Sequence, residues 1–148
     1  MITVRELTYG GDLQQKFYKL RHDVLRAPLG LNLDDTTTQA SEKQYMHIGL
    51  VEGEDDLLGG LLIEHQGDQT AKLSQMVVDK KYQAGGSGRL LVEGAEELIY
   101  EMGVRKVVLH ARTDAQGFYE KLGYTAIGDP FEEVTIPHIR MEKILRSK

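Results

Sequence analysis

One segment constrains the fold more than any other: a cluster of glycines between an apolar run and an amphipathic stretch, from Ala71 to Gly103. Residues 71–78 are rich in apolar and β-branched side chains and end at charged residues, as a strand does. Glycines follow at positions 85, 86 and 88. Apolar residues then recur at helical spacing among glutamates, at Leu91, Ala95, Leu98, Ile99 and Met102. The segment therefore predicts a strand, a glycine loop and a helix, with Gly103 just beyond the helix end.

A glycine loop that precedes a helix has a physical use. The first helical turn leaves backbone N–H groups without partners inside the helix, and the helix dipole adds positive potential there. Glycines lack a Cβ atom, so a ligand can approach the backbone closely and φ can be positive. Several N–H groups can then converge on one phosphate. The loop is therefore a candidate anion site, and the alternative interpretation is a turn that only joins the strand to the helix.

Two common phosphate loops do not fit this segment. A Walker loop requires a lysine after its last glycine, and none follows Gly88. A dinucleotide-binding loop requires a third small residue at position 91, where Leu91 stands. What remains is Gln-x-x-Gly-x-Gly, formed by Gln83, Gly86 and Gly88. This pattern resembles the acyl-coenzyme A pyrophosphate loop of the GNAT superfamily of N-acetyltransferases.

Two further motifs resemble the same family, in the family's order along the chain. Residues 115–124 contain Phe-Tyr-Glu-Lys-Leu-Gly-Tyr, which is similar to the Phe-Tyr-x-Lys-x-Gly-Phe segment near the end of GNAT domains. Taken alone, this stretch predicts a short amphipathic helix that packs on a sheet. Residues 131–141 contain Ile-Pro-His-x-x-Met, which resembles the closing segment of one branch of small bacterial acetyltransferases. Together the motifs extend the resemblance over essentially the whole chain.

Composition excludes several other classes of protein. The chain has 148 residues, which fits one domain over residues 1–148, and its net charge of −5 provides no overall basic footprint for nucleic acid. No apolar run approaches the ~20 residues of a membrane helix, and the first residues lack the apolar core of a signal peptide, so a cytoplasmic location is expected. Cysteine is absent, which excludes disulfides, cysteine-ligated metals and a thioester on the enzyme. No metal cofactor is expected.

Hydrophobic patterning predicts an α/β (α+β) fold. The first part of the chain predicts a helix over residues 13–24 between strands, then a polar loop over residues 28–44 with at most one short helix. Two hairpins in series before the glycine loop imply three adjacent antiparallel strands. Beyond residue 103, residues 115–122 predict a second short helix, and residues 131–134 continue or follow the strand at 124–127. The remaining strands are predicted at residues 2–8, 46–52, 57–65, 106–109 and 139–145. The expected architecture is a mixed, mostly antiparallel sheet of six or seven strands flanked by helices.

The resemblance implies where acetyl-coenzyme A (acetyl-CoA) binds. It implies a V-shaped splay in the central sheet that forms an acyl-CoA cleft. Backbone groups of Met76 and Val78 would meet the pantetheine arm, and an N–H near Met76 or Val77 would polarise the thioester carbonyl. The family often has an asparagine where Arg112 stands, and the Arg112 guanidinium could meet a phosphate instead. The remaining implied cofactor contacts are Gln83, Ala84, Gly85, Gly86, Ser87, Gly88, Arg89 and Gln116.

The same resemblance implies the chemistry: transfer of an acetyl group from acetyl-CoA to a primary amine. Absence of cysteine favours direct attack in a ternary complex over a covalent enzyme intermediate. Tyr119 is the implied general acid toward the coenzyme A thiolate. The general base stays open, with Glu64 and His138 as first candidates beside Glu133, a water chain as an alternative, and three further histidines at His47, His65 and His110.

Other functions remain open at this stage. The main alternative is a non-catalytic acyl-CoA-binding sensor or regulatory module, which would have no need of the Tyr119 hydroxyl. A weaker alternative is a binder of another nucleotide phosphate. The acceptor amine is unidentified, although Arg21 and Arg26 could meet an acidic group on it; the alternative for both is a solvated helix charge. Self-association as a homodimer through the last strands is compatible with the resemblance.

Overall fold

The computed structural model describes residues 1–33, 39–83 and 85–146, which form both strands and helices. Short π-helical and 3-10 turns extend the first helix at His22–Arg26 and Ala27–Leu29, and other 3-10 turns lie at Lys80–Tyr82 and Thr113–Ala115. The labelled elements are β1 Ile2–Leu7, α1 Asp12–Arg21, α2 Gln39–Glu42, β2 Met46–Glu52, β3 Asp56–Gly67, β4 Thr70–Val78, α3 Ser87–Glu101, β5 Lys106–Arg112, α4 Gln116–Lys121, β6 Thr125–Glu133 and β7 Ile136–Ile144.

These strands form one seven-stranded sheet in the order β1-β2-β3-β4-β5-β7-β6. β4 and β5 pair in parallel, whereas β1–β2, β2–β3, β5–β7 and β6–β7 pair antiparallel. β3 and β4 are joined by the two-residue turn Asp68–Gln69, whose φ values of 48° and 57° are those of a tight hairpin. The predicted mixed, mostly antiparallel sheet flanked by helices is therefore confirmed, as are the three adjacent antiparallel strands.

The parallel contact between β4 and β5 is short. The register joins Thr70–Leu73 to Lys106–Leu109, although β4 continues to Val78. Beyond the paired part, Gln75 has a φ of 53°, which the extended backbone of a regular strand does not adopt. The pairing of the two strands thus ends before either strand does, and the splay itself stays a prediction.

The chain divides into two compact units. The first contains Met1–Ile63 and Gln75–Ala95. Its core includes Leu7, Phe17, Val51, Leu62 and Val77, all at most 5% exposed. Close backbone approach requires a glycine in β3, because a Cβ atom at Gly59 would lie 2.5 Å from the Val77 carbonyl oxygen.

The second unit contains Glu64–Ser74 and Glu96–Lys148. Here β5 and β7 pair from Lys106↔Ile144 to Arg112↔His138. Lys143 ties the helices to β7, since its ammonium group donates to Glu96 at 2.9 Å and to the Leu122 carbonyl at 2.7 Å. The Tyr124 hydroxyl donates to the same Glu96 carboxylate at 2.8 Å.

One detail differs from the sequence predictions, and another lies partly outside the described residues. Val134 is not part of a strand: β6 runs without a break to Glu133, and Val134 and Thr135 form the hairpin turn at φ values of 49° and 64°. Such a turn favours glycine or asparagine, so the two β-branched residues at this position do not indicate a turn. The predicted loop at 28–44 contains the short helix α2, while residues 34–38 lie outside the described residues.

No helix in the described part of the chain is both long and apolar enough to span a membrane.

Candidate active site

The glycine loop is closed by a side chain of its own. Gln83 Nε2 donates a 2.8 Å hydrogen bond to the Val78 carbonyl, so the start of the loop is bound to the end of β4. The Asp79 carboxylate accepts from the Lys81 backbone N–H at 3.1 Å and caps the intervening 3-10 turn. Gly86 has a φ of 79°, and α3 begins at the next residue. This left-handed glycine lets the chain turn into the helix.

Other predicted phosphate contacts have separate environments. Ser87 is buried at the first position of α3, and Gly85 and Gly86 are exposed. Arg89 Nε pairs with Glu93 at 3.2 Å on the outer surface of the helix. Because that pair is well exposed, its free energy is small and the guanidinium can exchange partners. Ala84, also a predicted contact, lies outside the described residues.

The predicted pantetheine strand contains the left-handed residue Gln75. Val77 and Val78 just beyond it are buried. Arg26, 6% exposed, donates from Nη2 to Gln75 Oε1 at 3.3 Å and so contacts β4 where its backbone departs from extended geometry. The interpretation of Arg26 as a solvated helix charge is therefore wrong.

The same correction applies to Arg21, which is fully buried. Its guanidinium donates to both oxygens of Glu42, at 2.8 and 2.6 Å. This bidentate pair joins α1 to α2, and the Phe17 and Tyr18 rings lie 5.2 and 5.3 Å from the guanidinium carbon. A buried arginine is satisfied here by a carboxylate from a distant part of the chain.

Tyr119 lies on α4 between two aromatic rings. The ring centroids of Phe118 and Tyr124 are 4.9 and 5.9 Å away, both edge to face. Burial raises the pKa of Tyr119 to about 12. The phenol therefore keeps its proton at neutral pH. Gln116, on the same helix, directs its amide toward Glu120 at 3.4 Å.

Three titratable side chains from three strands converge in the second unit, and we call them the His–Glu–His cluster. His110 Nδ1 lies 2.9 Å from Glu133 Oε1, and His138 Nε2 lies 3.8 Å from Glu133 Oε2. The Phe131 ring lies edge-on to His110 at 5.0 Å and stacks on His138 at 6.3 Å. Arg112, at the end of β5, is the register partner of His138. The sequence offered both histidines separately as base candidates, and the structure joins them through one carboxylate.

The other base candidates make contacts of their own. Glu64 Oε2 accepts a 2.7 Å hydrogen bond from the Ser74 hydroxyl. His65 is exposed, and its Nδ1 accepts from the Gly67 backbone N–H at 3.3 Å.

His47 is 1% exposed in the first unit, where it packs against the Tyr9 and Phe17 rings. Burial lowers its pKa, so His47 is a neutral core residue at pH 7.

Within the described ranges, no group of three or more His, Asp or Glu side chains has a geometry that could hold a metal ion.

Comparison with known proteins shows where these motifs recur. The profile of the family described as "Acetyltransferase (GNAT) domain" matches residues 31–145. The uncharacterised Bacillus subtilis (strain 168) protein YyaT is 43% identical over 74 residues, half of each chain. The chain thus spans about half the length of the first curated relatives it matches.

Solved structures share the fold over nearly the full chain. A Lactobacillus plantarum protein described as a candidate N-acetyltransferase superposes with a TM-score of 0.88 at 26% identity, covering 98% of this chain and 99% of that one. An aminoglycoside 6'-N-acetyltransferase crystallised with coenzyme A gives a TM-score of 0.79 at 16% identity, covering 99% and 98%. At that identity, the second likeness concerns the fold alone.

Proposed function

The chain belongs to the GNAT acetyltransferase family, whose donor is an acyl-CoA, and we propose that it transfers the acetyl group of acetyl-CoA to a primary amine. The family match over residues 31–145 is the observation on which this proposal chiefly rests. It includes the glycine loop, the Tyr119 helix and the closing hairpin, so all three motifs lie within the matched range.

The pyrophosphate of the donor binds at residues 83–89 in this proposal. Three features support it: the left-handed Gly86, the exposed glycines and the N-terminus of the 15-residue helix α3. Gln83 contributes by closing the loop onto Val78, which fixes where the N–H groups point. Arg89 can leave its exposed pair with Glu93 to meet a phosphate oxygen.

The acetyl carbonyl is activated by a backbone N–H near Met76 or Val77. The left-handed φ of Gln75 supports this assignment, because it re-aims the backbone groups that follow it in β4. Backbone groups of Met76 and Val78 hold the pantetheine arm. A fixed N–H that points at the developing oxyanion stabilises the transition state more than the ground state.

Tyr119 acts on the leaving group. Since an ordinary thiol has a pKa near 8.5, a tyrosine whose pKa is about 12 holds its proton more tightly than a free thiolate would. Tyr119 therefore assists as a hydrogen-bond donor to sulfur while the C–S bond breaks. Its role is greatest in the transition state, where negative charge on sulfur is developing.

The acceptor must lose a proton before it attacks, and the sequence candidates for that step are Glu64 and His138. The Glu64 carboxylate is held by Ser74, and the His138 ring is held by the closing hairpin. The amine nitrogen attacks the thioester directly, because the sequence contains no cysteine to accept the acetyl group first.

Acetyl-CoA-dependent thiol release in the presence of amines tests the function. A panel of amino acids, polyamines, aminoglycosides and lysine peptides is assayed with the wild type and with Tyr119→Phe. The proposal predicts amine-dependent thiol release that falls in the variant while acetyl-CoA binding persists. Binding without release on any amine would favour the alternative, a non-catalytic acyl-CoA-binding module.

A further inference from the structure

Glu133 reaches His110 across an intervening strand. β7 lies between β5 and β6 in the sheet, yet the Glu133 carboxylate on β6 is 2.9 Å from the His110 ring on β5. The register of β6 against β7 shifts between Ile127 and Phe131, so the hairpin end is offset from the rest of the pairing. The hairpin thus delivers one carboxylate to a histidine two strands away.

Strain accompanies this arrangement. The two residues directly after Glu133 are Val134 and Thr135, both β-branched and both at positive φ, 49° and 64°. β-Branched residues rarely adopt this conformation because their side chains crowd the backbone. Strained backbone persists where the surrounding structure requires it, and it concentrates at functional sites. The observed strain lies next to the residue that links the two histidines.

Hydrogen bonding fixes the proton on His110. A carboxylate only accepts, so the short contact places a proton on His110 Nδ1. Nε2 of the neutral ring then carries a lone pair, and this tautomer can accept a proton from a substrate at Nε2. Its partner carboxylate also stabilises the imidazolium that results, as in other carboxylate–histidine pairs. The His110 side chain is 23% exposed, so a solute can reach it.

His138 acts on Glu133 rather than on a substrate. Its Nδ1 donates to the Ile136 carbonyl at 2.8 Å, which fixes the ring with Nε2 3.8 Å from Glu133 Oε2. The ring is nearly buried and stacked on Phe131, so it can hold the carboxylate in place.

We propose that His110 is the general base of the reaction, that Glu133 positions its ring, and that His138 positions Glu133. This inference rests on the proposed acetyltransferase function. The acceptor ammonium has two protons more than the product amide nitrogen. One passes to His110 Nε2 and then to solvent; the freed electron pair forms the C–N bond. The C–S electron pair leaves with sulfur as a thiolate that accepts a hydrogen bond from the Tyr119 hydroxyl, and the second nitrogen proton then passes to that thiolate.

Other charged groups also lie near His110. Arg140 is its register partner on β7 and pairs with Glu142 at 3.0 Å. Arg112 follows on its own strand, opposite His138. Toward β4, Lys72 is the register partner of Val108, and Glu64 on β3 accepts from the Ser74 hydroxyl. The Glu133 carboxylate contacts His110 directly, so a substitution of Glu133 tests that interaction apart from the other charges.

The test compares His110→Asn, Glu133→Gln and Glu64→Gln with the matched control Glu132→Gln, an exposed neighbour. Asparagine retains an N–H donor for Glu133 but removes the base. On an amine accepted in the panel, His110→Asn should lower kcat/KM by about 100-fold or more, and the acidic limb of its pH profile should vanish. Glu133→Gln should lower kcat/KM by a smaller factor, since the imidazolium formed during the reaction loses its counter-charge, whereas Glu132→Gln should leave kcat/KM unchanged.

Acetyl-CoA titration separates two kinds of failure. Unchanged binding by every variant, with transfer lost in His110→Asn, supports the base. Equal transfer by His110→Asn and the Glu132→Gln control, or loss confined to Glu64→Gln, would overturn it. A wild type that binds no acetyl-CoA would instead remove the proposed function, and this inference with it.

The position of the proton on the His110 ring can be measured without an acceptor amine. ¹⁵N chemical shifts of the His110 imidazole should show the Nδ1–H tautomer in the wild type and in Glu132→Gln, and a weaker preference for that tautomer in Glu133→Gln. The Nε2–H tautomer in the wild type, or the same preference in both variants, would contradict the proposal.

Discussion

The Gln83 amide donates a 2.8 Å hydrogen bond to the Val78 carbonyl and so binds the first residue of the Gln-x-x-Gly-x-Gly pattern to the last residue of β4. The glutamine of this pattern is thus explained by a contact within the protein. Its side chain shapes the loop, and in the proposed function the backbone N–H groups meet the phosphate.

Gln83→Glu keeps the shape of this side chain but removes its donor. A carboxylate facing the Val78 carbonyl is repelled, so the loop should lose its closure. Since a net hydrogen bond contributes about 0.5–1.5 kcal/mol, we expect the Kd for acetyl-CoA to rise about two- to tenfold or more. Calorimetric titration measures the change. Unaltered binding would show that the loop does not depend on this bond.

The buried pair of Arg21 and Glu42 predicts a large effect on stability. Glu42→Gln leaves the guanidinium buried without its counter-charge, and Arg21 Nε already has no hydrogen-bond partner among the described residues. Breaking such a pair costs about 3–5 kcal/mol in the free energy of unfolding, measured by denaturant titration. The exposed pair is the control: Glu93→Gln should cost less than about 1 kcal/mol. Similar costs for both variants would contradict the assigned burial.

His47 predicts a loss of stability in mild acid. Burial lowers its pKa in the folded protein below the ordinary value of 6.5. The unfolded state therefore binds a proton first. This contribution to stability is complete above pH 6.5 and declines as the pH falls below it toward the folded pKa. His47→Asn, which retains a donor for the Tyr45 carbonyl, should show a flatter dependence of the free energy of unfolding between pH 7.5 and 5.5. Parallel curves would disprove this role.

The raised pKa of Tyr119 predicts that the wild-type pH–rate profile does not decline near pH 10. Because its pKa is raised to about 12, the phenol stays protonated through the accessible range. Tyr119→Phe should lower kcat by about tenfold or more with little change in acetyl-CoA affinity. A wild-type rate that falls with a pKa near 10 would indicate an ordinary exposed tyrosine.

The regular elements could be predicted because their periodicity is local: the apolar run at 71–78 and the spacing of Leu91, Ala95 and Ile99 match β4 and α3. The environment of Arg21 could not, because its burial depends on Glu42, 21 residues away. An arginine on an amphipathic helix has the same sequence pattern whether it is solvated or paired.

The His–Glu–His cluster was hidden for a related reason. His110 and Glu133 are separated by 23 residues, and a turn of two β-branched residues sets their contact. Local propensity disfavours that turn, so nothing in the sequence indicates that β6 ends at Glu133. The closing Ile-Pro-His segment made His138 a candidate but did not indicate the carboxylate that it faces.

The most direct test of the central claim is calorimetric titration of acetyl-CoA into the wild type, Gly85→Asp and Gly85→Asn. Gly85 suits the test because its φ lies outside the left-handed region and an added Cβ would meet nothing nearer than the Tyr82 carbonyl at 3.9 Å. Both side chains therefore fit the fold equally, and they differ in charge. The account predicts that the wild type binds, that Gly85→Asn binds within a few-fold, and that Gly85→Asp loses at least about tenfold through repulsion of the pyrophosphate. Equal binding by all three, or no binding by the wild type, would contradict it.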